Sequence, residues 1–273
     1  MSVIFLREII KRVLPAKMVY AIQQWSLRRS IANYPSRVVC HQYGMHKLSV
    51  RLSDSLAEGW YDRDWNEPDE ITLLKKGRLK PGAVVFDLGA HQGVVAMLLA
   101  REAGPSGKVI AVEATRHNAE IARENLRLNQ IENVNVIHAA VAEKDGCELF
   151  FTATLDGAVQ HDGAGDRVST VSIDSLAREH GMPDVVFIDV EGYECQALAG
   201  AHEVLGQGAD FFVEVHVGAG LEENGTVEQV FGQFPSSRYL LQVSTGEEMP
   251  FFSWKEGGAL PSHRFFLSAT LKS

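Results

Sequence analysis

The 273-residue chain has only three cysteines, Cys40, Cys147 and Cys195, scattered and with no CxxC pair. Their number and spacing exclude a secreted disulfide framework and a four-thiolate zinc site, and fit free thiols in a reducing compartment. No run of 18 apolar residues occurs, so no transmembrane helix is expected. The opening MSVIFLREIIKRV is broken by charges where a signal peptide keeps an unbroken apolar stretch, which points to a cytoplasmic protein. Internal repeats and low-complexity tracts are missing too, which argues against a solenoid or a disordered chain. Basic charge is in deficit: 26 Lys and Arg against 35 Asp and Glu give a net charge of −9. That field disfavours nucleic acid as a partner and leaves a small-molecule ligand as the expectation.

What is there is 45% hydrophobic and 22% charged, the composition of a soluble globular chain long enough for one well-buried core. The acidity is uneven. Residues 1–29 hold six basic side chains against the single Glu8, a local +5 that leaves −14 on the rest. Apolar residues from Ile4 to Trp25 recur at helical spacing between those charges, with Pro15 breaking the run. This front reads as a helical cap packed on the body or on a second copy in a homo-oligomer, with peripheral contact to anionic lipid as the alternative. Residues 1–80 form this cap and lead-in, with the aromatic, acidic WYDRDWNEPDE (60–70) able to cover a ligand. Residues 81–273 form the main domain, interrupted by a Gly- and Asp-rich loop at 155–169.

From residue 83 strands and helices alternate: AVVFDLG, a helix over 92–103, KVIAVEA, a helix over 117–129, then VNVIHAAV. Continuous apolar strands of this kind belong to a parallel sheet covered on both faces. After a Gly/Asp-rich loop, STVSIDSLAREH with Asp174 as a helix cap, DVVFIDVEG, the helix ECQALAGAHEVL and ADFFVEVH resume the pattern. The strands YLLQV and RFFLSAT then close it as an antiparallel hairpin. The expected architecture is a doubly wound, mostly parallel seven-stranded α/β sheet with helices on both faces and its ligands beyond the carboxyl ends of the strands.

At the exit of the first strand, DLGAHQG carries Asp87, Gly89, Ala90, His91 and Gly93; Gly89 allows a tight turn and Gly93 a close helix start. Glu113 ends the next strand 26 residues after Asp87, where a carboxylate can accept from both hydroxyls of a ribose. A dinucleotide fingerprint would need glycine where His91 stands, and Asp87 would repel a pyrophosphate but attract a sulfonium or ammonium. These residues favour S-adenosylmethionine. Ala139 and Ala140, after the third strand, are small enough to neighbour an adenine.

At the end of the fourth strand, Asp189 and Glu191 stand two apart, so extended backbone would send both to one side; Glu214 and His216 repeat the spacing at the end of the fifth, and if these strands are neighbours the four groups meet beside the cofactor turn. Methyl transfer to an alcohol needs an in-line acceptor and a base for its proton; His216 is the first candidate, with Asp189 or Glu191 competing. Asp189, Glu191 and His216 could chemically share a divalent cation, but spacing does not require one, and no metal is expected.

The pieces VVFDLGAHQG (84–93), KVIAVEATRHNAEIARENLRLN (108–129), VSIDSLA (171–177), FIDVEGYECQALAGA (187–201) and FFVEVH (211–216) resemble the FkbM-like family of S-adenosylmethionine-dependent methyltransferases. The first two pieces are shared by many class I methyltransferases, while IDVEGYE with VEVH is more specific. The resemblance implies O-methylation of a sugar, glycolipid or polyketide-like acceptor, with Asp87, Gly89 and Gly93 along the methionine side, Glu113 on the ribose, and Asp189 and Glu191 in the active-site motif. The family often has Asn at His91 and Lys at Phe187; the second departure removes a positive charge near the carboxylates and points to a different acceptor. A small-amine N-methyltransferase, a catalytically silent cofactor-binding scaffold and, more distantly, a nicotinamide oxidoreductase are the rival functions.

Overall fold

The structure is a computed structural model that describes residues 15–161, 163–246 and 249–272. The part of the basic cap before Pro15 lies outside the described residues. Helix α1 (Ala16–Asn33) starts directly after Pro15, whose missing N–H is tolerated at a helix start. Met18, Ile22 and Trp25, at helical spacing along α1, are exposed.

A hairpin of β1 (Arg37–Tyr43) and β2 (His46–Leu52) follows, then helices α2 (Ser55–Tyr61) and α3 (Asp69–Lys76). The main sheet is then built by β3 (Val84–Leu88), α4 (Val94–Ala103), β4 (Lys108–Glu113), α5 (Arg116–Leu128) and β5 (Val134–His138). A small side sheet contains β6 (Ala140–Val141), β7 (Glu148–Phe151), β8 (Val159–Gln160) and β9 (Asp166–Val171). Thus part of the expected 155–169 loop is strand. Helix α6 (Ile173–His180), β10 (Val185–Ile188), short helices α7 (Glu194–Ala199) and α8 (His202–Gln207), and β11 (Asp210–Val215) complete the parallel part. After α9 (Leu221–Asn224) and α10 (Val227–Gly232) come β12 (Tyr239–Ser244), β13 (Phe252–Trp254) and β14 (Phe265–Leu271).

The sheet has eight strands in the order β13-β12-β14-β11-β10-β3-β4-β5, not seven. From β11 to β5 neighbours run parallel; β14 lies antiparallel to both β11 and β12. The additional strand is β13, which pairs along β12 inside what reads in sequence as a long turn.

Alternation along the central strands supplies two cores. Val85, Val185 and Phe187 face one side, packed with the hairpin, α3, α4 and α5; Phe86, Leu88, Val186 and Ile188 face the other, under α6, α7, α8 and α10. Both faces are covered, which explains why these strands read as unbroken apolar runs. Phe187 belongs to the first core, stacked on Phe212 with ring centroids 4.6 Å apart, so its replacement of Lys does not alter the charge of a cleft wall. Asp174 is not the cap of its own helix: Ser172 caps α6, and Asp174 accepts from the Glu203 and Val204 amides at the start of α8.

Buried Asp54 joins the lead-in to the sheet. It caps α2 through the Leu56 and Ala57 amides and accepts from Gln92 of the β3 turn at 2.7 Å, with His117 2.9 Å away. Burial opposes its charge, but these hydrogen bonds, led by that to His117, outweigh it and lower its proton affinity.

Candidate active site

A cleft of about 610 Å³, including its open mouth, lies past the carboxyl ends of β3, β4 and β10. Gly89, His91, Glu113, Ala139 and Ala140 line one part, Phe151, Asp156, Gly157 and Val159 of the side sheet a second, and Asp189, Glu191 and Tyr193 the inner end, with Trp60 at the edge. Asp87, Ala90, Gly93 and His216 are not among the residues that line it, and Asp87 and His216 are buried.

The β3 turn is held by geometry that few residues could adopt. Gly89 has φ +91°, and a Cβ there would sit 1.6 Å from the Asp189 carbonyl oxygen, so the backbones leaving β3 and β10 can touch only with glycine at this position. The Gly89 and Ala90 amides both donate to Val112 O, at 2.8 and 3.0 Å. Gly93, at φ +80°, would place a Cβ 3.0 Å from that of Ala122, so it lets α4 begin against α5.

Glu113, 5% exposed, ties this turn to the end of β4: Oε2 accepts from the His91 amide at 2.9 Å and Oε1 from the Thr115 amide at 2.6 Å. Burial raises its proton affinity and these amides moderate the rise. His91 adopts φ +46°, unusual for a residue with a side chain, and its Nδ1 lies 2.8 Å from the Tyr61 hydroxyl. Burial lowers the ring's pKa to about 4, so it is neutral at physiological pH.

Asp87 is 2% exposed and its Oδ2 also has no partner. Burial, and after it repulsion from Glu113, raise its pKa from 3.8 to about 7. The stability it contributes is therefore fully present below about 3.8 and is lost as pH rises through about 7. A cationic ligand reverses the preference, because it favours the ionised carboxylate. S-adenosylmethionine is expected to bind more tightly as pH rises from about 5.5 to about 8, and Asp87→Asn to flatten that profile. Calorimetry across the range checks this; the same slope in both proteins would refute it.

At the inner end, Asp189 follows β10 directly, and Glu191 reaches the cleft through a left-handed turn at φ +48°. The pair shares the cleft because of that turn, not by strand alternation. Glu214 lies within β11 and His216 just beyond it. His216 Nε2 is 3.6 Å from Asp189, 3.4 Å from Glu191 and 3.5 Å from Glu214, while Nδ1 is 2.7 Å from Glu194 Oε1. Burial alone would lower the His216 pKa, but the hydrogen bond to Glu194 and the surrounding carboxylates carry it up to about 9. Burial raises the pKa values of Asp189, Glu191 and Glu214. The guanidinium of Arg264, immediately before β14, contacts Glu214 and supplies positive charge beside these acids.

The sequence reading overlooked Glu194 and Arg264. The second acid of EGYE, at a helix start, is the signal that could have raised Glu194; Arg264 is far along the chain and has no local signal.

The doubly wound sheet with its glycine turn at the end of β3 is that of the class I methyltransferase fold. The cradle fits S-adenosylmethionine: a glycine turn with no room for a Cβ, an acid at the end of β4 and an orphaned carboxylate oxygen on Asp87. Residues 87–239 match the Methyltransferase FkbM domain, and the chain belongs to that family. It is 32% identical over 107 residues to a probable cobalt-precorrin-6B C(15)-methyltransferase (decarboxylating) of Thermoplasma volcanium, covering 38% of this chain and 51% of that protein. It thus spans about half the length of that relative. To the ribosomal RNA large subunit methyltransferase E of Halorhodospira halophila it is 27% identical over 177 residues, covering 65% of this chain and 74% of that protein. The solved methyltransferase FkbM of Methylobacillus flagellatus is similar at 15% identity and a TM-score of 0.47, covering 68% of this chain and 43% of that one.

Proposed function

We propose that the protein methylates a hydroxyl group of a sugar, glycolipid or polyketide-like small molecule, with Glu191 as the base. The observation that carries this is the acidic inner end of the cleft, where Asp189 and Glu191 face the space beside the cofactor turn and His216 does not line it. S-adenosylmethionine supplies an electrophilic methyl group whose departure leaves a neutral thioether. Gly89 and Glu113 fix the turn that binds it, and Asp189 orients the acceptor oxygen. Glu191 takes the hydroxyl proton; its raised proton affinity makes it a better base than an exposed glutamate. The apolar side of the cleft, from Ala139 to Val159, limits access of water.

The base role first expected for His216 thus passes to Glu191, because the imidazole is held behind the carboxylates by Glu194. One relative is named for ribosomal RNA, but the net charge of −9 favours a small acceptor over a polyanion.

An acceptor screen that detects S-adenosylhomocysteine release tests the reading. Glu191→Gln is expected to lower turnover by about 100-fold or more while leaving cofactor affinity within about threefold of wild type. Unchanged turnover in that variant would remove Glu191 as the base. If the wild type turns over amines but no hydroxylated acceptor, the O-methyl assignment is wrong.

A further inference from the structure

Around His216, the buried atoms Asp189 Oδ1, Glu194 Oε2 and His216 Nε2 have no hydrogen-bond partner, and the buried Glu214 Oε1 is met by the Arg264 guanidinium alone. Orphaned polar atoms of this kind are rare, since each gives up its hydration without replacement. Here Asp189, Glu214 and His216 each bring one potential ligand atom to a common point, within 4.8 Å of one another.

Glu194 fixes the orientation of the imidazole. Gly192 N–H donates to Glu194 Oε1 at 2.9 Å, and His216 Nδ1 lies 2.7 Å from the same oxygen, which as a carboxylate oxygen can only accept. The proton therefore stands on Nδ1, and Nε2 is turned toward three carboxylates. A second proton on Nε2 would bring positive charge there, but the separations of 3.4 to 3.6 Å are long for an N–H···O bond to any of them. The 3.6 Å to Asp189 and 3.5 Å to Glu214 fit the spacing of neighbouring ligands around a tetrahedral ion, about 3.3–3.6 Å for bond lengths of about 2.0–2.2 Å. A histidine whose remote nitrogen donates to a buried carboxylate is also the usual support of a metal-binding imidazole.

We propose that Asp189, Glu214 and His216 bind one divalent cation at the inner end of the cleft, leaving open positions toward the acceptor. Imidazole among the ligands favours a first-row ion such as Mn²⁺ or Zn²⁺ over Ca²⁺. Arg264, whose side chain is 52% exposed, already contacts Glu214, so ion binding requires it to give way along that carboxylate.

This deepens the methyl-transfer reading, on which its catalytic part rests. The acceptor is then an alcohol, or a pair of neighbouring hydroxyls, with one oxygen on the ion, where its O–H is acidified. The acceptor oxygen forms a bond to the methyl carbon and the carbon–sulfur bond breaks with its electron pair going to sulfur. The hydroxyl proton goes to Glu191, which is not one of the three ligands.

The test uses the full chain after chelator treatment, titrated with MnCl₂ and followed by the electron paramagnetic resonance signal of free Mn²⁺, and in parallel with ZnCl₂ by calorimetry. One equivalent per chain is expected, weakened at least about tenfold in both His216→Ala and Glu214→Gln. Melting curves establish that each variant is folded; if His216→Ala is not, His216→Gln replaces it. Absence of a stoichiometric site for both ions in the wild type overturns the proposal, as does wild-type affinity in either folded variant. S-adenosylmethionine affinity of the chelated protein is measured alongside. Ion binding without cofactor binding would sink the methyl-transfer reading alone, and cofactor binding without an ion would sink the cation site alone.

Discussion

Glu113→Ala is expected to weaken S-adenosylmethionine binding by about 100-fold, corresponding to about 2.7 kcal/mol. Two effects combine. The carboxylate lines the cleft, and its loss removes a charged acceptor worth about 1.5–3 kcal/mol to a bound ribose. The same carboxylate accepts from the His91 and Thr115 amides, so its removal also releases the β3 turn from the end of β4. Glu113→Gln keeps one acceptor oxygen and can hold one of those amides, so a loss of about tenfold is expected. Calorimetry with S-adenosylmethionine and S-adenosylhomocysteine reads both variants. An affinity of Glu113→Ala within threefold of wild type would show that this carboxylate is not a cofactor ligand.

Glu194→Ala is expected to cost about 3–5 kcal/mol of stability, a fall in melting temperature on the order of 10 °C. Glu194 is 0% exposed and His216 2%, so neither regains full hydration when the other is cut away. The alanine variant leaves the Gly192 amide and His216 Nδ1 without their shared acceptor and opens a void beneath the helix start. Glu194→Gln, which can still accept through its amide oxygen, is expected to retain more than half of that stability. Equal melting temperatures for wild type and Glu194→Ala would mean that the pair contributes nothing net, as some buried ion pairs do.

Much of the sheet was legible because its signals are local. Strands such as VVFDL, where Asp87 alone is polar, and VVFI are apolar on successive residues, as expected of a sheet covered on both faces, and their lengths and the glycines after them punctuate the chain. The strand β13 was not legible: three residues, two of them exposed, carry no periodicity, and their pairing depends on β12 being there. The same holds for β8, where Val159–Gln160 is a strand only because Phe150 and Phe151 lie alongside.

For the site, the sequence by itself determined the kinds of residue and the strand ends that carry them. It placed an acid at the end of β4, glycines in the β3 turn, and a concentration of carboxylates with one histidine at the ends of β10 and β11. The tertiary structure decided which of these face the cleft and which stand behind it. Glu191 enters through a left-handed turn, His216 is turned inward by Glu194, and Arg264 arrives from the start of β14 to meet Glu214. The physical reason is that spacing along a strand fixes the side to which a residue points only while the backbone stays extended. Past the last strand residue, orientation is set by turns and by the partners that burial forces on each charge.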